Sequence, residues 1–132
     1  MKYPEFINLV QRRARLDNEE EALRATEATL KTLAERITAE EAEQLAAQLP
    51  AEVGRYLKDP EKQEAFDLDN FYYHVSIRES VGLPEVIRHA RAVMSVVSQA
   101  VSTGEMQDIL DQLPGEYLPL FTFGGDGEYR DL

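Results

Sequence analysis

Cysteine and tryptophan are both missing from this 132-residue chain, and it carries only two histidines. Without cysteine there can be no disulfide, no thiolate zinc site and no cysteine nucleophile. No apolar run approaches the roughly 20 residues a bilayer crossing needs. The opening residues Met1-Lys2-Tyr3-Pro4-Glu5 also lack the apolar stretch of a secretory signal. The expectation is a cytoplasmic protein that does not enter a membrane. Positive charge is scarce as well: 14 basic residues stand against 25 acidic ones, a net charge of -11. Phosphate backbones are gripped by clustered Lys and Arg, so nucleic acid is not an expected partner. Arg12, Arg13 and Arg15 form the one local basic cluster and read as a solvated helix face paired with nearby acids. Residues 1–66 are net -4 and residues 67–132 net -7, so the acid excess lies mainly in the second half.

What the chain does have is repetition. Gln48-Leu49-Pro50-Ala51-Glu52 returns as Gln112-Leu113-Pro114-Gly115-Glu116, 64 positions later. At that offset Leu23, Ala28, Leu33, Ile37, Glu41 and Leu45 fall opposite Ile87, Ala92, Val97, Val101, Glu105 and Ile109. Upstream the offset becomes 65, setting Phe6, Val10, Arg13 and Leu16 against Phe71, Val75, Arg78 and Val81. Apolar positions agree almost throughout, which is what shared packing preserves.

Each copy reads as helical. Leu23, Leu30, Leu33 and Ile37 line one face of a 3.6-residue spiral. The counterpart helix, with Val86, Ile87, Ala90, Val93, Met94, Val97 and Val101, is apolar on more than one face and is expected to be the more deeply buried. Thr38-Ala39-Glu40-Glu41 is a capping box, and Ser102-Thr103-Gly104-Glu105 repeats it. Asp17 or Asn18 caps the helix that Glu19-Glu20-Glu21 opens. In the second copy Gly82 closes one helix and Pro84 opens the next. Proline disfavours helical dihedrals in the residue before it, so Leu49 and Leu113 should leave one helix while Pro50 and Pro114 start a short fourth one. The corner residues Gln48, Leu49, Pro50, Gln112, Leu113 and Pro114 are therefore read as structural, with the leucines pointing inward.

The fold expected is all-α: two tandem homologous helical units of about four helices each, packed with pseudo-twofold symmetry through their long second helices. The domain spans residues 1–123, with repeats at 3–57 and 67–121. The charged stretch Lys58–Glu64 joins them as a connector with one or two helical turns begun at Asp59-Pro60. Residues 124–132 read as an acidic, glycine-rich tail.

The run from Ala22 to Leu57, with its Ala- and Leu-rich helix, Thr-Ala-Glu-Glu turn and Gln-Leu-Pro-Ala-Glu corner, resembles the DUF2267 family of small bacterial proteins. The second unit, closing in Gln-Leu-Pro-Gly-Glu-Tyr-Leu-Pro-Leu-Phe, is similar to that family's second half. The resemblance covers Tyr3 to Phe121. It implies an all-helical protein and transfers no catalytic residue, because the family's function is unknown.

Signs of catalysis are few. His74 and His89 lack the spacing of a zinc motif. Asp67, Asp69 and Asn70 ahead of His74 are explained by helix capping. Asp126, Glu128 and Asp131 do not follow a calcium-loop pattern. No glycine-rich phosphate loop or nucleophile elbow is present, so no cofactor and no enzymatic activity is expected. Tyr72, Tyr73 and His74 are the candidate interaction surface: with Phe71 and Val75 on the core face of a helix, these three must spread over its other faces. The function expected is a non-catalytic interaction or scaffold protein whose partner is another protein or a second copy of the chain. The alternative is a small-ligand or metal-binding regulatory domain with its pocket between the repeats, near His74 and Tyr73.

Overall fold

Local chemistry sets each helix end. In the computed structural model, which describes residues 1–122, Asn18 starts α2 (Glu19–Arg36) by accepting the Glu21 amide at 2.8 Å. Thr38 does the same for α3 (Ala39–Gln48) and Ser102 for α7 (Thr103–Gln112). Asp67 caps α5 (Leu68–Glu79) through the Asn70 amide, the role expected of an aspartate there. Lys2 and Pro4 lead into α1 (Tyr3–Ala14), while Gly82 and Pro84 lead into α6 (Leu83–Ala100). One expected end is corrected. Ser80, in the left-handed region at φ 61°, terminates α5, whereas Gly82 is extended and caps the helix that follows. Arg15 ends α1 in the same left-handed way.

After Leu49 the chain turns through Pro50 into α4 (Ala51–Gly54) and a 3₁₀ turn, Arg55–Leu57. After Leu113 it turns through Pro114 into a 3₁₀ helix, Gly115–Phe121. Both corner leucines are buried, as expected. The fold is all-helical among the described residues. α1 and α5 have 12 residues each, α2 and α6 have 18, and α3 and α7 have 10.

α2 packs against α6, and α1 and α5 each lie against both of these long helices. The apolar spacing delivers Phe6, Val10, Leu30 and Leu33 from the first half into the same buried cluster as Phe71, Val75, Val93 and Met94 from the second. Each such side chain contributes about 1.5–3 kcal/mol on leaving water. α6 is not the more deeply buried of the long helices. Thr26, Thr29 and Thr32 give α2 a second buried row, and the Thr26 and Thr32 hydroxyls turn inward to the carbonyls of Ala22 and Ala28 at 2.8 Å.

The connector contains no helical turn between Lys58 and Phe66. Asp59 sits at φ 51°, which stops the Asp-Pro start, and the backbone is held instead by longer-range bonds. The Glu64 amide donates to Glu35 O, Gln63 Nε2 donates to Ile37 O, and Phe66 O accepts both Arg36 Nε and the Tyr117 hydroxyl. Arg13 is also corrected: it is buried and reaches Ser95 and Gln99 on α6 rather than standing on a solvated face. The tail read at 124–132 lies outside the described residues.

Candidate functional site

The paired corners converge on one junction. Gln48, the last residue of α3, sends its Oε1 to the Ser102 amide at the start of α7, 2.8 Å away. Gln112, the last residue of α7, returns the contact to the Thr38 amide at the start of α3, 3.0 Å away. The two helices therefore run antiparallel where they meet. A capping box would give the Thr38 and Ser102 amides to Glu41 and Glu105. Because the glutamines take those amides from across the junction, both glutamates are released to face each other.

Glu41 and Glu105 are both buried, at 5% and 6% exposure. With exposed Asp108 they place one carboxylate oxygen each within 4.8 Å of the others. Burial, reinforced by the hydrogen-bonded neighbour Glu105 and by the charges of Glu105 and Asp108, pushes the Glu41 carboxyl up to about 7. Gln112 Nε2 steadies Glu41 Oε1 at 3.2 Å. Oε2 of each glutamate is buried and receives no donor from outside the pair. Each glutamate occupies the first turn of its own helix, where the helix dipole favours negative charge.

A groove opens beside this junction. Ala46, Ala47, Leu49 and Leu57 line it together with the charged residues Arg55, Lys58, Lys62, Glu43 and Asp59, around a cavity of about 950 Å³. Gly54 belongs to the same wall, and its Cα lies so close to α3 that an added Cβ would sit 2.8 Å from the Ala46 carbonyl oxygen.

The three residues singled out on α5 separate. Tyr72 is buried and sets its ring edge-on to Phe71 at 6.2 Å. Tyr73 is 54% exposed, and His74 is half-buried with its ring against Phe66 at 4.7 Å. None of them belongs to the groove or to the carboxylate group. Ile77, one turn beyond Tyr73, is exposed beside it at 59%.

Residues 3–120 match the family described as "Uncharacterized conserved protein (DUF2267)". The chain belongs to DUF2267. No curated protein matches it. The matched span takes in both capping residues, both corner glutamines and all three carboxylates, so the whole junction lies inside the DUF2267 region. Motif reading located the glutamines but missed Glu41, Glu105 and Asp108 as a group. A signal for them was present: Glu41 and Glu105 sit four residues before the core positions Leu45 and Ile109, on the apolar face of their helices.

Proposed function

We propose that this protein is a non-catalytic interaction protein that receives an acidic peptide segment of a partner in the groove beside α3. The observation that carries the reading is the groove itself, whose alanines and leucines are accompanied by Arg55, Lys58 and Lys62 in excess over Glu43 and Asp59. The chain as a whole is net -11, whereas around this groove three cations, Arg55, Lys58 and Lys62, outnumber two acids, Glu43 and Asp59. A concave apolar surface holds the anchoring side chains of a bound segment, and the surrounding charges select its sign. We read the two halves as copies related by a pseudo-twofold axis, supported by the equal helix lengths and the exchanged glutamine contacts.

The test uses a phage-displayed random peptide library panned against the full chain. Ala47→Trp, at an exposed position in the groove wall, serves as the blocked control. Enrichment of acidic peptides with apolar anchors that bind the native chain and not the blocked one is the expected result. Absence of enrichment, or peptides that ignore the Trp, would sink the reading.

A further inference from the structure

We propose that the junction of α3 and α7 binds one hard divalent cation of the calcium or magnesium class through the carboxylates of Glu41, Glu105 and Asp108. Three carboxylate oxygens from two helices lie within 4.8 Å of one another, close enough to share one ion. A second observation does not depend on that clustering. Glu41 and Glu105 are each more than nine-tenths buried, and the Oε2 of each accepts no hydrogen bond from any group outside the pair. A buried carboxylate oxygen with neither donor nor cation is expensive, and two of them side by side are more so. Among the described residues none of the three carboxylates pairs with Lys, Arg or His, so no basic side chain offsets their charge.

The donor set decides the class of ion. Carboxylate oxygens without imidazole or thiolate favour calcium, magnesium or manganese over zinc or copper. Asp108 is exposed, so the ion has a route from solvent and room to keep water ligands on that side. Gln112 Nε2 holds Glu41 from behind, the part a supporting residue plays in fixing a ligand's orientation. An ion here would tie the first turn of α3 to the first turn of α7, whereas the exchanged glutamines join the start of each helix to the end of the other.

The experiment compares thermal unfolding of the full chain, stripped with EDTA, in calcium, magnesium or manganese chloride and in sodium chloride of equal ionic strength. At about 5 mM of at least one divalent salt the unfolding temperature should rise several degrees above the sodium control. Asp108→Asn, which changes an exposed side chain and spares the core, should lose more than half of that rise. Glu43→Gln, an exposed acid outside the cluster, should keep it. Manganese titration followed by water-proton relaxation should give one ion per chain, bound at least tenfold more weakly by Asp108→Asn and by Glu105→Gln. No divalent-specific rise would overturn the proposal. So would an equal rise in wild type and Asp108→Asn, which would mark general screening of an acidic chain.

Discussion

Gln48 and Gln112 exchange contacts across the molecule: each ends one helix and accepts the cap-residue amide at the start of the helix the other ends, Ser102 at 2.8 Å and Thr38 at 3.0 Å. These bonds satisfy amides that would otherwise stay open at two helix starts. Gln48→Ala should lower stability by about 1 kcal/mol, the net worth of an ordinary hydrogen bond. Gln112→Ala should cost more, because Glu41 Oε1 loses its donor too. Urea unfolding of the two variants gives the ranking, and equal losses would contradict the extra role of Gln112.

Arg78 carries the cross-contact at the other side of the core. It donates to Thr32 and to Glu35 Oε2, both at 2.8 Å, and Glu35 is only 3% exposed. Arg78→Met leaves a buried carboxylate oxygen without its cation and should cost on the order of 3 kcal/mol. Adding Glu35→Gln in the same chain should recover part of that loss. A double variant as unstable as the single one would show that Arg78 acts through packing of its stem.

Two glycines should respond to alanine with opposite signs. A Cβ on Gly54 would meet the Ala46 backbone oxygen at 2.8 Å, and backbone cannot swing aside as a side chain can. Gly54→Ala should therefore destabilise by about 1–3 kcal/mol. Gly104, in the first turn of α7, has nothing within 4 Å of its added Cβ. Gly104→Ala should stabilise by up to about 1 kcal/mol through helix propensity. Chemical denaturation of the pair checks both signs at once.

The architecture was legible because its determinants are local. Cap residues, proline corners and apolar spacing each act within a few positions, so α2, α3, α6 and α7 could be read from one stretch of chain at a time. The carboxylate group could not be read that way. Glu41 looks like the closing half of a capping box until Gln112, 71 residues away, takes the Thr38 amide from it. Arg13 misled for a similar reason, since its partners Ser95 and Gln99 lie on a helix that only the fold brings near. The connector was misread because bonds to Glu35 and Ile37 outweigh the local preference of Asp59-Pro60 for a helix start. Buried Thr26 and Thr32 hide their polarity by bonding to their own helix, so hydropathy spacing undercounts the face they occupy.

Tyr117 supplies a pH test of the core. Its ring is fully buried, its hydroxyl donates to Phe66 O at 2.6 Å, and the Arg36 guanidinium lies 5.3 Å from the ring centre. Burial pushes the phenol up from 10.0 to about 12, with Arg36 pulling weakly the other way. A group whose folded pKa is raised holds its proton more tightly when folded. Its contribution to stability is complete below the unfolded value of 10.0 and is lost as pH rises toward 12. Wild type should therefore lose stability more steeply than Tyr117→Phe between those two pH values, after starting ahead by about 1 kcal/mol for the lost hydrogen bond. Ultraviolet titration of the tyrosines should show one phenol ionising late in the wild type and none doing so in the variant. Parallel stability curves for the two proteins would mean that water reaches the Tyr117 hydroxyl and that the connector is not sealed at Phe66.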